Sequence, residues 1–228
     1  MNFSNIKLSI VIPCYNEENY IKKLIDELLE IVNPFEIIVV DDKSTDKSVE
    51  ILESINNPKI VIIKNDKNNG KGYCLRQGFN KAQGNVIIIQ DADPEYSPKD
   101  IKMLIEPFSD PKTFFVIGTR FQTKYKRKIG YFYHTVFNKL ITYLVNLKSN
   151  TNFTDIECGY KAFRKDILND IKFSENRFGI EVEMIRKISK LKKNMYEVPV
   201  SYEMRNYTEG KKIGLPDAIA ALYCWVKY

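Results

Sequence analysis

Short apolar runs alternate with amphipathic segments along the first half of the chain. Five runs have the length and the Val and Ile content of buried parallel strands, at residues 8–13, 36–40, 60–64, 86–90 and 114–118. Four segments between them place apolar residues three and four positions apart, as amphipathic helices do, at residues 18–32, 46–54, 72–82 and 98–108. This alternation predicts an α/β fold with an open, mostly parallel central sheet flanked by helices.

The pattern changes after Arg120. Residues 122–128 are polar and basic, which is typical of a loop. Apolar spacing then predicts helices over 131–147, 177–191 and 216–227, and a strand over 195–201. Since no repeat or low-complexity segment divides the 228 residues, we expect a single domain over residues 1–228, with a first half (1–120) and a second half (121–228).

Composition and charge narrow the classes of function. The chain has no apolar run of about 18 residues and no basic segment leading into a long apolar run, so we expect neither a transmembrane helix nor a signal peptide. The net charge of +6 suits an anionic ligand or a membrane surface, and no nucleic-acid partner is expected. Four cysteines without CxxC spacing indicate free thiols in a reducing cytosol, and a single histidine argues against zinc.

Polar residues follow each of the five predicted strands, at residues 14–17, 41–42, 65–71, 90–93 and 118–120. Ligands of open α/β sheets bind beyond the carboxyl ends of the strands, so these residues are expected at one edge. Asp91 and Asp93 directly follow a buried run, and carboxylates two residues apart can reach one hard cation. Such an ion would neutralise the diphosphate of a nucleotide. The alternative is that both acids cap the next helix.

The other strand ends suggest contacts to a nucleoside. Asp41 and Asp42 can accept hydrogen bonds from ribose hydroxyls or a base N–H, or they can cap the following helix. Tyr15 can stack on a base that Glu17 hydrogen-bonds, although an ordinary polar loop explains both residues equally well. Lys71, between two glycines, either contacts a phosphate or is solvated. The chain has no G-x-G-x-x-G on its first predicted turn and no G-x-x-x-x-G-K-[ST], which disfavours nicotinamide dehydrogenases and P-loop enzymes.

These segments together resemble a known family. Residues 9–18, 37–46, 69–72 and 91–93 closely resemble glycosyltransferase family 2, which is similar in fold to the nucleotide-binding GT-A type and uses a divalent metal, Mg²⁺ or Mn²⁺. Residues 117–120, 155–164, 176–181, 197–202 and 205–213 look like the branch of dolichyl-phosphate mannose and glucose synthases. The resemblance implies transfer of a hexose, with inversion, from a nucleotide sugar of the GDP-mannose or UDP-glucose type to polyprenyl or dolichyl phosphate.

The resemblance also implies roles for individual residues. The nucleotide would be held by Pro13, Tyr15, Glu17, Asp41 or Asp42, Lys71 and Asp91. The metal would be held by Asp93, with Asp91 and Glu95 as further ligands. The acceptor phosphate would be contacted by Arg120, His134, Asn138, Arg164, Lys211 and Lys212. Asp93, Arg120 and Arg205 would be the catalytic residues, and the second half would bind the acceptor.

Several alternatives remain open. An acceptor with a sugar or protein hydroxyl would need a base, for which Asp155 and Glu157 are candidates, whereas an anionic phosphate needs positive charge instead. A non-catalytic nucleotide-sugar-binding module is a further alternative. The helix over 131–147 either packs on the sheet, with His134 in its interior, or lies at an anionic membrane surface. We expect a cytoplasmic protein, and peripheral association with the cytoplasmic membrane face is the hypothesis.

Overall fold

One seven-stranded sheet forms the centre of the structure. The computed structural model describes residues 6–122, 131–204 and 215–228. The strands are β1 (Leu8–Cys14), β2 (Glu36–Asp41), β3 (Ile60–Lys64), β4 (Val86–Ile89), β5 (Thr113–Thr119), β6 (Lys161–Arg164) and β7 (Asn194–Pro199). Their order across the sheet is β3-β2-β1-β4-β6-β5-β7.

The sheet is mostly parallel, which confirms the predicted fold class. β1 pairs in parallel with β2 and β4, β2 with β3, and β5 with β7. The five strands predicted in the first half form within one residue of their predicted bounds, and the strand predicted over 195–201 forms as β7. β6 is antiparallel to β4 and β5 and is not predicted, because four residues are too short for a periodic signal.

Helices occur in both halves of the chain. They are α1 (Ile21–Glu27), α2 (Ser48–Ser54), α3 (Lys71–Lys81), α4 (Ile101–Ile105), α5 (Phe132–Ser149), α6 (Ile167–Asp170), α7 (Ile180–Ser189) and α8 (Leu215–Lys227). α1 continues into a π-helical turn, Leu28–Val32, so the segment predicted over 18–32 is helical from residue 21. The helix predicted over 98–108 is broken: 3₁₀ turns flank α4, and Pro107 has no N–H to continue the α-helical hydrogen bonds.

The core covers both faces of the central strands. Ile10, Val11 and Ile12 are consecutive in β1 and all fully buried, and consecutive strand residues point to opposite faces. On one face α3 lies close to β1, because Gly78 has no side chain: a Cβ there would lie 2.3 Å from Cγ1 of Val11. This close packing fixes the first turn of α3, which begins at Lys71, at the carboxyl edge of the sheet.

One surface outside the sheet is apolar and exposed. α5 and α8 pack side by side, where Nε1 of Trp225 donates to the carbonyl of Leu144 at 2.9 Å. Their outer sides carry the α5–α8 apolar face: Phe132, Tyr133, Val136, Leu140, Tyr143, Leu147, Ile219, Leu222, Tyr223 and Val226. None of the helices in the described ranges is long and apolar enough to cross a membrane.

Candidate active site

The loops that follow β1 and β2 are joined at the carboxyl edge. The backbone N–H of Asn16 donates to Oγ of Ser44 at 2.9 Å, and the side-chain oxygen of Asn16 accepts from the N–H of Thr45 at 2.8 Å. Asn16 has a φ of 53°, a left-handed conformation that asparagine tolerates. These hydrogen bonds bring together the ends of two strands that the sequence assigns to one ligand.

Asp41 and Asp42 have different environments. The carboxylate of Asp42 accepts from the side chain of Asn65 (2.9 Å) and the backbone N–H groups of Asn69 (2.9 Å) and Gly70 (2.7 Å). Asp42 therefore shapes the loop before α3. One oxygen of Asp41 accepts from the N–H of Ser44 at 3.1 Å, while its buried Oδ1 accepts no hydrogen bond from any residue that the structure describes. Of the two acids that the sequence leaves open, Asp41 has the acceptor capacity for a ligand.

The remaining residues predicted to hold a nucleoside lie at the end of β1. Pro13 and Tyr15 are partly exposed, so both are accessible to a ligand at this edge. Glu17 is buried, and its backbone N–H donates to Oγ of Ser48 at 2.8 Å. The structure thus brings Pro13, Tyr15 and Asp41 together at the carboxyl ends of β1 and β2, where Glu17 is buried.

A buried chain of ion pairs connects the first and second halves. Nζ of Lys71 lies 2.7 Å from Oδ1 of Asp91 and 2.9 Å from Oε1 of Glu181, whose other oxygen pairs with the fully buried Lys161. Burial opposes the charge on Lys71, but the two carboxylates raise its pKa above the ordinary value, so the lysine stays protonated. Lys71 is therefore ion-paired and not solvated.

The sequence prediction misses Glu181 and Lys161 as partners in this network. The available signal is weak: each is a charged residue within a short apolar stretch, and a buried charge requires a partner. Glu181 lies one residue into α7 and Lys161 begins β6, so two elements of the second half support the Asp91 end of the first.

Asp91, Asp93 and Glu95 do not converge as a three-carboxylate cage. Asp91 faces Lys71, Oδ1 of Asp93 accepts from the N–H of Glu95 at 3.0 Å, and Oε2 of Glu95 accepts from the hydroxyl of Tyr202 at 3.0 Å. In the described ranges no three acidic, imidazole or thiol groups form a metal-binding cluster. The oxygen donors fit a hard cation, but the predicted set of three protein ligands is not preassembled, because each of the three carboxylates has another partner.

Arg120 is a fixed cation at the carboxyl end of β5. Its guanidinium binds Asp155 through two bonds, Nε to Oδ2 at 2.6 Å and Nη2 to Oδ1 at 2.8 Å, and lies 5.0 Å from the ring centroid of Tyr202. Asp155 is fully buried, which opposes its ionisation, but Arg120 holds the pKa of the carboxyl below its usual value. The side chain of Arg120 remains 17% exposed, enough for a ligand to reach it.

A residue of α5 stabilises this ion pair with a hydrogen bond. Asn138 is buried, and its amide donates to Oδ1 of Asp155 at 3.1 Å, so it holds Asp155 in place. His134 lies one turn earlier on the same side of α5, is partly buried, and contacts the ring of Tyr131. The helix predicted over 131–147 thus packs with one side towards the site and exposes the other.

The position of Arg164 corrects the prediction that it contacts the acceptor phosphate. It pairs with Val86 in the register of β6 and β4, at the opposite edge of the sheet from Asp91. Its guanidinium donates to the carbonyls of Thr113, Phe108 and Asp110 at 2.8, 3.0 and 3.1 Å. Because β6 is antiparallel, its last residue lies at the amino ends of the parallel strands, so Arg164 is not an acceptor-phosphate ligand.

Arg205, Lys211 and Lys212 lie outside the described residues. The described site therefore contains an acidic side with Asp93 and Glu95 and a basic side at Arg120, and Tyr202 contacts both Glu95 and Arg120. Arg120 lies at the end of a strand that β6 separates from β4.

The family model for glycosyl transferase family 2 matches residues 9–172, most of the chain and both sides of this site. The chain belongs to glycosyltransferase family 2. Among solved structures, glucosyl-3-phosphoglycerate synthase from Mycobacterium tuberculosis, in complex with Mn²⁺, UDP and phosphoglyceric acid, matches with a TM-score of 0.75 and 16% identity, over 99% of this chain and 79% of that one. This similarity confirms the GT-A type fold.

Two curated relatives are more similar in sequence. An undecaprenyl-phosphate 4-deoxy-4-formamido-L-arabinose transferase from Photorhabdus laumondii is 32% identical over 74% of this chain and 52% of its own length. A dolichol-phosphate mannosyltransferase from Pyrococcus furiosus is 29% identical over 92% of this chain and 60% of its own length. The chain spans about half to two thirds of the length of these relatives. Their names confirm the resemblance of this glycosyltransferase to the polyprenyl-phosphate branch.

Proposed function

We propose that this glycosyltransferase moves a hexose, with inversion, from a nucleotide sugar of the GDP-mannose or UDP-glucose type to polyprenyl or dolichyl phosphate. The observation that carries the proposal is Arg120: a partly exposed guanidinium, fixed by a buried carboxylate, at the same edge as Asp93. A phosphate monoester is already anionic near neutral pH and needs no strong base. It needs a positioned positive charge, which Arg120 supplies.

The two halves of the chain divide the substrates in this proposal. Residues 1–120 hold the donor: Pro13, Tyr15, Glu17 and Asp41 contact the nucleoside, and Lys71 orients Asp91 beside it. Residues 121–228 bind the acceptor together with Arg120, the last residue of the first half: Arg120 contacts the phosphate, Asp155 and Asn138 orient Arg120, and His134 lies close to the same group. Arg205, Lys211 and Lys212 would add positive charge to hold two anionic substrates together.

A divalent cation, Mg²⁺ or Mn²⁺, would neutralise the departing diphosphate when bound. Asp93 would hold it, with Glu95 as a second ligand. Because no three-ligand cluster exists in the described part of the chain, we expect the metal alone to bind weakly and to bind tightly only together with the nucleotide, whose phosphates supply further oxygens. The resemblance and the metal-bound structural neighbours support this cofactor.

A substitution at Gly159 tests the proposed role of Asp91 in binding the donor nucleotide. A Cβ at this position would lie 2.4 Å from Oδ2 of Asp91 and 2.9 Å from the ring of Tyr96. We expect Gly159→Ala to displace the Asp91 carboxylate from Lys71 and to weaken binding of the donor nucleotide about tenfold, which is roughly 1.4 kcal/mol. Calorimetric titration with GDP and UDP in the presence of Mn²⁺ measures the change.

The control for this variant is Gly84→Ala. A Cβ at Gly84 would collide with the carbonyl of Lys7 at 2.3 Å, at the opposite edge of the sheet. Gly84→Ala should lower the melting temperature and leave nucleotide affinity unchanged. Equal losses of nucleotide affinity in both variants would mean that Asp91 has no special part in donor binding.

The membrane surface is the proposed partner of the α5–α8 apolar face. α5 contributes Asn138 to the site and exposes Phe132 and Tyr143 on its other side, at 73% and 63%. A lipid-linked acceptor lying at a membrane would bring its phosphate close to Arg120 if this face rested on the bilayer. The protein would then be cytoplasmic and peripheral on the cytoplasmic face of the membrane.

Vesicle binding tests this surface. We expect Phe132→Ser/Tyr143→Ser to reduce binding to vesicles containing anionic phosphatidylglycerol at least about tenfold, because two exposed aromatic side chains no longer enter the interface. The matched control is Phe35→Ser/Tyr196→Ser, which removes aromatic side chains of the same types that are 44% and 43% exposed elsewhere. Sedimentation with the vesicles measures both. Identical binding by the two variants would remove the α5–α8 apolar face from the proposal.

The reaction itself is tested with a panel of labelled GDP- and UDP-sugars and a short polyprenyl phosphate in detergent, with Mg²⁺ or with EDTA. A metal-dependent, acid-labile lipid product from one donor would support the proposal and identify the sugar. Metal-dependent hydrolysis of a donor without lipid product would reject the lipid acceptor and retain the donor site.

A second candidate function is transfer to a sugar or protein hydroxyl. It is favoured by one observation: burial and the nearby Glu181 raise the pKa of Glu157 to about 7, a value that suits a general base. Asp155 is a poor candidate for that role, because its pKa is lowered and Arg120 occupies both of its oxygens. Product analysis with saccharide acceptors in the same panel distinguishes this candidate from the first.

A further inference from the structure

The segment that precedes β6 contains a buried carboxyl oxygen to which no described residue donates a hydrogen bond. Glu157 is partly exposed as a residue, but its Oε1 is buried and has no hydrogen-bond partner within residues 6–122, 131–204 and 215–228. A buried carboxylate oxygen that has lost water without gaining a donor is unfavourable. A proton on the carboxyl would reduce this penalty by removing the charge, and a ligand oxygen that accepts from that proton would reduce it further.

The charged groups that face Glu157 come from four elements. They are Glu181 of α7, Lys161 of β6, Arg120 after β5 and Asp155 in the same segment as Glu157. Both cations are already paired: Lys161 binds Glu181 and the carbonyl of Cys158, and Arg120 binds Asp155. Among the residues that the structure describes, Glu157 therefore has no counter-ion of its own.

A charge count over the ion-pair chain and the separate Arg120–Asp155 pair gives the same result. Three carboxylates, those of Asp91, Asp155 and Glu181, are balanced by the three cations Lys71, Lys161 and Arg120. Glu157 is a fourth carboxyl, so the cluster is neutral when Glu157 is protonated and carries one negative charge when it is ionised. Burial first, and then the charge of Glu181, raise the pKa of Glu157 to about 7.

We propose that protonated Glu157 donates a hydrogen bond to the acceptor phosphate bound at Arg120, and so determines specificity for a phosphate acceptor. The inference rests on the proposed function. An ionised Glu157 would repel a phosphate dianion beside it, whereas the neutral carboxyl is a donor to an anionic oxygen, a strong type of hydrogen bond. The proton stays on Glu157 throughout, since the dianion attacks without losing one.

The pH dependence of kcat/KM for polyprenyl phosphate is the test. In the wild type we expect a bell-shaped profile. Its acid limb follows loss of the second phosphate proton near pH 6, and above about pH 7 kcat/KM falls about tenfold per pH unit as Glu157 ionises. Glu157→Gln keeps an N–H donor that does not ionise, so it should keep the acid limb and lose the alkaline fall.

Two further variants make the test specific. Glu157→Ala removes the donor, and we expect the KM for polyprenyl phosphate to rise about tenfold at pH 6.5 while the KM for the donor sugar stays unchanged. Glu30→Gln, at an exposed acid in the π-helical turn after α1, should show the wild-type profile. Melting temperatures of all variants establish that each is folded.

The outcomes separate the two proposals. An alkaline fall that persists in Glu157→Gln overturns the role of Glu157 and leaves the proposed function intact. Loss of transfer by Glu157→Gln at every pH, with a wild-type rate that rises through pH 7, also overturns it and makes Glu157 a base. Absence of lipid product in the wild type overturns the proposed function, and this inference with it.

Discussion

Asp93→Asn should lower kcat for sugar transfer by about 100- to 1,000-fold, because the variant loses the carboxylate proposed to hold the divalent cation. Asp93 is the residue to which the resemblance assigns direct contact with the metal, with Asp91 and Glu95 as further ligands. The amide keeps the size of the side chain and an oxygen that can accept from the N–H of Glu95, so the fold should be unaffected. Initial rates of lipid-product formation at saturating Mg²⁺ measure the effect.

The control for this variant is Asp26→Asn. Asp26 pairs with Lys22 on the exposed side of α1, where an ion pair contributes little. It should leave both kcat and the melting temperature unchanged. If Asp93→Asn retained more than about half of the wild-type rate, Asp93 would not be the metal ligand, and the metal would have to be held elsewhere.

Arg120→Met should lower the free energy of unfolding by about 3–5 kcal/mol, the effect expected when a buried ion pair loses one partner. Asp155 is fully buried and would keep the hydrogen bond from Asn138 without its counter-ion. The same variant should reduce transfer to polyprenyl phosphate at least about 100-fold, because the phosphate loses its proposed cation. Urea denaturation and product formation measure the two effects separately.

The pH dependence of stability gives a second readout. In the wild type the pKa of Asp155 lies below its unfolded value, so the stability from this pair is present at neutral pH and is lost only as the pH falls through the low folded pKa. In Arg120→Met, burial without Arg120 raises the pKa of Asp155 above the unfolded value. The stability difference between the two proteins should therefore shrink as the pH is lowered from 7 towards 4.

A double variant separates structure from chemistry. Arg120→Met/Asp155→Asn has no unpaired charge at this site, so we expect it to regain at least half of the lost stability. It should not regain transfer activity, since the cation is still absent. Recovery of activity together with stability would show that Arg120 acts only as a structural partner of Asp155.

The fold could be read largely from the sequence, because parallel strands buried on both faces give uninterrupted apolar runs. β1 and β2 are examples: each is short, rich in Val and Ile, and followed directly by polar residues. β6 could not be found this way. It has only four residues, which is too short for a periodic signal. One of them, Lys161, counts as a polar position in the sequence, although its ion pair with Glu181 allows it to be buried.

The candidate site, too, could be predicted from the sequence only in part. The sequence places Asp93 and Arg120 at strand ends, and the structure has both there. The sequence cannot show that Asp42 accepts hydrogen bonds from the loop before α3 while Asp41 has an oxygen without a partner among the described residues. Adjacent identical residues differ only in the contacts that the folded chain makes. The prediction that Arg164 contacts the acceptor phosphate is wrong for a related reason. The position of Arg164 depends on the direction of β6, a strand that the periodicity of the sequence does not reveal.

The reversed direction of β6 has a consequence for how this enzyme class can diversify. Asp155 and Glu157 lie just before an antiparallel strand, so they reach the catalytic edge from its amino end, whereas the donor residues reach it from the carboxyl ends of parallel strands. Residues 153–158 carry Asp155 and Glu157, whereas Gly159 and Tyr160 contact Asp91 and Gln90 near the end of β4. Exchange of the segment 153–158 alone should therefore change the proposed acceptor side and leave the strand order and the nucleotide side intact. We expect chimeras that swap this segment, while keeping an aspartate opposite Arg120, to fold and to inherit the acceptor preference of the sequence inserted.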